Sequence, residues 1–298
     1  MPDQHTIASW FRELQDSICQ ALEQADGTAS FREDSWERPG GGGGRSRVIA
    51  GGAVLEKGGV GFSAVHGDIH PQMRASLGVE EGTSFFATGV SIVQHPVNPK
   101  VPIIHMNVRY FELSNGTCWF GGGIDLTPHY IVDEDARWFH RQLKDVCDRF
   151  SPDYYPRFKT WADDYFFSPH RDETRGIGGI FYDHLKPTDE ASFDHLWAFT
   201  QAVGSSFAPI YTELIARHKN EPYTEEERDW QLLRRGRYVE FNLVHDRGTK
   251  FGLETNGRTE SILMSLPPLA RWEYDHRPAE GSPEALTLSK LQKGIDWI

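Results

Sequence analysis

Between Val101 and Glu112, apolar Ile104, Met106, Val108 and Tyr110 alternate with His105, Asn107, Arg109 and Phe111. A period of two separates side chains cleanly only on a strand. One face is then a continuous apolar row for a core, and the other carries an imidazole, an amide and a guanidinium in line over about 13 Å. Such a row needs neighbours, and the texture from Val48 to about Phe120 supplies them: Val, Ile and Phe alternate, broken by glycine pairs and by Pro96, Pro99 and Pro102. Solvent-facing alternation is the commoner origin of a polar row on an antiparallel sheet. Three different hydrogen-bonding groups in succession, with no Lys, Glu or Thr among them, turn the reading toward a site.

Helical spacing surrounds this strand region. Trp10, Leu14, Ile18 and Leu22 predict an amphipathic first helix within 1–27, ended by Gly27. Further helices are expected over 133–150, over 192–215, after the capping box Thr224 to Glu227, and from Ser282 with Pro283 in the first turn. Pro39 and the run Gly40 to Gly44 read as a linker, or as a loop whose backbone N–H groups grip a carboxylate beside Arg45 and Arg47. A second strand region is expected over 237–253: Arg237, Val239, Phe241 and Leu243 share one face, Tyr238, Glu240, Asn242 and Val244 the other, and Asp246, Arg247 and Gly248 turn the chain. Early strands, central helices and late strands without βαβα alternation predict an α+β fold with a large, mostly antiparallel sheet flanked by helices on both faces.

Composition narrows the function. With 298 residues, 38% hydrophobic and 25% charged, the chain is of ordinary globular type. A net charge of −12 argues against nucleic acid and anionic membrane as general partners. Apolar runs fall far short of the ~20 residues that cross a bilayer, and the acidic start lacks both a signal-peptide pattern and an Arg-rich presequence, so a cytoplasmic location is expected. Cys19, Cys118 and Cys147 are odd in number and scattered, which fits a reducing compartment. Their spacing also forbids a CxxxCxxC cluster for iron–sulfur radical chemistry. Neither Gly121 to Gly123 nor Gly176 to Gly179 completes a dinucleotide fingerprint, and P-loop, HExxH and GxSxG patterns do not occur.

Against that acidic background, Arg109, Arg234, Arg235, Arg237, Arg247 and Arg258 suit a ligand with several carboxylates, which guanidinium groups hold bidentately. Pairing with local acids is the alternative, and the better one for Arg234 and Arg235 beside Glu225 to Glu227.

The motifs are distinctive together: His105, Asn107 and Arg109 before Tyr110 and Phe111; Trp119 to Gly123 with Asp125; His170 and Arg171 with Arg175 to Gly179; Gly236 to Asn242; Asp246 to Thr249; and Glu260 to Pro268. In this order they strongly resemble the oxygen-dependent coproporphyrinogen III oxidases, from the first helix to Asp296 and Trp297. Cys118 and His245 depart from the pattern, standing where many relatives carry Trp, or Trp or Tyr. The resemblance implies a single domain over 1–298, coproporphyrinogen III as substrate, O2 as co-substrate, no organic cofactor, and conversion of two propionates to vinyl groups with two O2 consumed and two CO2 released. It implies substrate contacts at Ser91, Asn107, Val108, Arg109, Asn256, Gly257 and Arg258, to which the arginine pattern adds Arg247. Acid–base work falls to His105, with Asp246 or Asp125 as the carboxylate facing the pyrrole nitrogens. A divalent metal is also implied, at positions matching His95, His105, His140 and His170, although their spacing has no metal signature and structural roles for His140 and His170 stay open beside it. Relatives pair as homodimers, which points to His170 and the late strands of 237–274 as the dimer region.

Overall fold

The fold is given by a computed structural model that describes residues 2–69, 74, 78–254 and 257–298. Asp3 caps the first helix by accepting the Thr6 amide at 2.7 Å, and Gly27, left-handed at φ 79°, ends it. Helix α1 (Gln4–Asp26) therefore has the limits its spacing predicts, and it buries Ile7, Phe11, Leu14, Ile18 and Leu22.

The strands are β1 (Arg32–Glu37), β2 (Gly42–Ala50), β3 (Leu55–Asp68), β4 (Ser84–Pro96), β5 (Ile103–Leu113), β6 (Cys118–Thr127), the short pair β7 (Phe167–Ser168) and β8 (Glu173–Thr174), and β9 (Gly179–Leu185). Strands β1 to β6 pair antiparallel in sequence order, and β9 returns antiparallel beside β6, closing a seven-stranded open sheet. The other helices with described bounds are α2 (Asp133–Asp148), α3 (Tyr154–Tyr165), α4 (Phe193–His218), α5 (Glu225–Val244), α6 (Arg247–Glu254), α7 (Thr259–Leu263) and α8 (Pro283–Ser289). The chain is a single α+β fold of the expected kind.

The alternation on β5 resolves as expected. Ile104, Met106, Val108 and Tyr110 are all but inaccessible. Tyr110 packs edge-on to Phe193 of α4, and Val108 lies near Gly204 of α4, where α1 also presses Leu14. Each such side chain contributes roughly 1.5–3 kcal/mol by leaving water. On the opposite face α5 covers one end of the sheet through Tyr238 and Phe241, and the segment after α7 brings Met264 over Gly59 and Gly61 of β3.

Two expectations are corrected. The glycine run is not a linker: Gly41 and Gly42, at φ 113° and 78°, make the turn, and Gly42 to Gly44 open β2. The glycines are needed because a Cβ at Gly44 would sit 2.3 Å from the Trp36 ring, which lies across the hairpin. Nor do Arg45 and Arg47 wait for a carboxylate from outside. Both reach Asp16 of α1 at 2.7 Å, and Arg47 also reaches Glu33 at 2.8 Å.

The late strands expected over 237–274 do not form either; among the described residues this region is α5, α6, α7 and irregular chain. The capping box at Thr224 and Glu227 starts α5, and helix propagation then runs through the period-two pattern to Val244. At helical spacing Trp230, Arg234, Tyr238 and Phe241 form one buried stripe, so the strand alternation was coincidental. Asp246 does not head a turn between strands but caps α6, accepting the Thr249 amide at 2.7 Å.

Candidate active site

Register brings the polar row of β5 into line with its neighbours. Ser91, Asn107 and Gly123 lie abreast, as do Gly89, Arg109 and Gly121, and Val93, His105 and Asp125. The flanking glycines leave Arg109 room to lie along the sheet: a Cβ at Gly89 or Gly121 would come within 2.9 Å of its atoms. Arg109 reaches Asp183 of β9 at 2.8 Å and the Asn107 side-chain oxygen Oδ1 at 3.3 Å, and it stays more than a third exposed. The result is a half-buried, glycine-floored face with hydrogen-bonding groups of both kinds. Val108 is not on this face; its side chain points into the core beneath α4.

At the α5 end of the row lies a buried ion pair. The side chains of Asp125 and Arg175 are 1% and 2% exposed. Arg175 donates from Nη2 to Asp125 Oδ1 at 2.7 Å and from Nε to Oδ2 at 3.2 Å, while His105 meets Oδ1 through Nδ1 at 2.8 Å. Burial alone would push the Asp125 carboxyl up, but the Arg175 charge and the His105 bond outweigh it and hold the group below the usual carboxylate range. The guanidinium is enclosed by the rings of Phe166, Phe241 and Tyr238, at 4.4, 4.7 and 4.9 Å. Its third nitrogen donates to Asn242 of α5 at 2.9 Å.

The arm after α5 supplies the other acid. Tyr165 of α3 donates its hydroxyl to Asp246 at 3.0 Å, and the Arg247 guanidinium lies 5.9 Å from the Tyr165 ring centre. Tyr165 stacks on Phe181 of β9 and meets Phe166 edge-on, and Phe166 touches the His105 ring, so Asp246 and His105 belong to one continuous patch. Burial, and then Asp246, push the Tyr165 hydroxyl up, which keeps it a proton donor to that carboxylate. Arg258 stands at the far side of the arm, paired with Asp34 of β1 and with Ser261 at 3.1 Å. Gly257 bonds back to the Gly252 carbonyl at 2.7 Å. Asn256 lies outside the described residues. Arg234 and Arg235 face inward to Glu173 and Glu56, at 3.0 and 2.7 Å, so acids pair with them as expected, though not the acids of their own helix.

The four histidines implied for a metal are not brought together. His95 is fully buried and bonds the Ser265 carbonyl at 2.8 Å; burial, and then Arg235, lower it to about 3. His140 is buried with both nitrogens engaged, by Tyr155 and by the Ile177 carbonyl, each at 2.9 Å. His105 is committed to Asp125. His170 is at the surface between His245 at 2.8 Å and Glu240 at 2.9 Å. Among the described residues no group of three or more His, Cys, Asp or Glu could hold a metal ion. These residues do not fit a shared metal centre.

Sequence reasoning passed over Asp183, Tyr165, Phe166 and Asn242, and gave Arg175 no role of its own. No local spacing flags them, because each meets the row only through tertiary packing. A family model described as coproporphyrinogen III oxidase matches residues 6–297.

Proposed function

The chain belongs to the coproporphyrinogen III oxidase family, whose reaction is a step of heme biosynthesis, and from that membership we propose that it uses O2 to convert two propionates of coproporphyrinogen III into vinyl groups, giving protoporphyrinogen IX. The observation that carries the reading is the sheet face of His105, Asn107 and Arg109, which continues from His105 through Phe166 and Tyr165 to Asp246. Three scattered cysteines, on α1, β6 and α2, are a poor supply for iron–sulfur chemistry and favour direct use of O2. No organic cofactor enters the reading.

For each propionate, one O2 takes two electrons and two protons and leaves as H2O2, one proton coming from the propionate β-carbon and one from solvent. The bond to the carboxylate breaks, CO2 departs, and the electron pair closes the vinyl double bond. The reduced macrocycle is electron-rich enough to give electrons to O2 once a pyrrole N–H is polarised. Asp246 is the base we assign to that N–H, and His105 passes protons to the departing peroxide. Asp125, already saturated by Arg175 and His105, orients His105 and is not the base. Arg109 and Arg247 take substrate carboxylates with Ser91 and Asn107, each charge-assisted bond contributing roughly 1.5–3 kcal/mol. Arg258 joins them by exchanging Asp34 for a propionate.

The protein acts as a homodimer in the cytoplasm in this reading. Leu243, Val244, Leu253, Leu269 and Trp272 are each exposed on or near the α5–α6 arm, and a second copy of the chain would cover them. Cys19 and Cys147 are buried and unpaired, as a reducing compartment requires. The deciding experiment is anaerobic incubation with coproporphyrinogen III followed by air. Vinyl products should appear only after air is admitted, with O2 uptake; products formed without O2 would overturn the proposal.

A further inference from the structure

Arg175 is too deeply buried to touch a substrate, yet it connects both parts of the candidate site. It holds the two oxygens of Asp125 on β6 and the Asn242 side-chain oxygen Oδ1 on the last turns of α5, four residues before Asp246. A buried ion pair is at best about neutral for stability against apolar packing of the same volume, so stability alone is a poor reason for it. Its geometry has a chemical consequence. A carboxylate whose oxygens receive a guanidinium fork can only accept hydrogen bonds. Because Asp125 Oδ1 lies 2.8 Å from His105 Nδ1, that nitrogen must carry the ring proton.

We propose that Arg175 is a positioning residue for the decarboxylation: by holding Asp125 as a fixed anion it locks His105 in its Nδ1–H tautomer, so that the lone pair lies on Nε2. The inference rests on the reading that His105 moves protons during the reaction. Nε2 then takes up the proton it will deliver to the departing peroxide, and the ring becomes an imidazolium whose charge Asp125 balances. The Asn242 bond fixes α5 against the same guanidinium, so the Asp246 arm and the His105 row keep one spacing. If Arg175 is absent, Asp125 becomes an unpaired buried carboxylate, which must either protonate or draw His105 into a permanent ion pair; in both cases Nε2 loses its assigned role.

The test combines a spectroscopic reading with kinetics on the full-length protein. In protein labelled with [15N]histidine, with His105 identified by comparison with His105→Gln, the neutral ring should show a bare Nε2 and a protonated Nδ1. In folded Arg175→Met this pattern should be lost, and kcat should fall on the order of 10²-fold, the usual effect of a misplaced catalytic group, with KM changed less than about twofold. Arg175→Lys should recover only part of the loss, since a point charge cannot reproduce the fork. In an Asp125→Asn background, adding Arg175→Met should cost little more, because the two act as one unit. An Nε2–H tautomer in the wild-type protein overturns the inference whatever the variants do, including an Arg175→Met that fails to fold. An Arg175→Met protein that keeps the wild-type tautomer overturns it too, whether or not kcat falls. Since the tautomer is read without turnover, inactivity toward coproporphyrinogen III with O2 would refute the proposed reaction and Arg175's part in it, while the tautomer lock of Arg175 on His105 would stand or fall on the spectra.

Discussion

At the scale of single residues the site separates into groups that meet the substrate and groups that hold them. His105→Ala should lower kcat by about 10²–10⁴-fold, the range for loss of a positioned proton-transfer group, with unchanged thermal stability by calorimetry as the control. Arg109→Ala should act on binding. Losing one charge-assisted contact should lower kcat/KM on the order of ten- to a hundredfold, mostly through KM in steady-state assays. Asp183→Asn alone should lower KM, since the wild-type carboxylate competes with substrate for the Arg109 guanidinium, and this gain should vanish in an Arg109→Ala background. His105, Asn107 and Arg109 were legible in the sequence because a strand places alternate residues on one face. Arg175 and Tyr165 were not, since their partners lie 50 and 81 positions away.

At the scale of elements, the joint between α1 and the sheet turns on one carboxylate. Asp26 accepts the amides of Ala29, Val54 and Leu55 at 2.8–3.0 Å, and the Thr28 hydroxyl at 2.7 Å. Burial works against the anion, but these bonds outweigh it and depress the carboxyl far below its usual range. A depressed folded value means that its stabilisation is complete above the unfolded value of about 4 and is lost as pH falls through the folded one. Asp26→Ala should therefore cost about 3 kcal/mol at pH 7, from stranded amides, and should flatten the loss of stability between about pH 4 and 2 in urea titrations. Helix limits were the most legible elements, because caps are local: Gly27, Thr224 with Glu227, and Ser282 all stand where the sequence predicts. The strands expected over 237–253 failed for the same reason. The period-two pattern there was read as a separate strand, whereas the helix nucleated at the Thr224 capping box runs straight through it.

At the scale of the whole molecule, the histidines implied for a metal are dispersed among a core, a helix interior, the polar row and the surface. Turnover should accordingly survive chelator treatment within about twofold, with metal content measured on the same active sample. The apolar surface beside α5 should pair two copies: sedimentation on dilution should show a dimer, and Leu243→Glu with Val244→Glu should yield monomers. Patterns that act within a few residues determined, by themselves, the class of fold, the first helix, the polar row of β5 and the family resemblance. Periodicity and capping are short-range physics, and long motifs survive without knowledge of what they touch. Tertiary structure alone decided that the glycine run is a strand under Trp36, that 237–253 is built of α5 and α6 in place of strands, and that Arg175 closes on Asp125 and Asn242. Those outcomes depend on which distant surfaces meet once the core is buried, and no local spacing encodes that meeting.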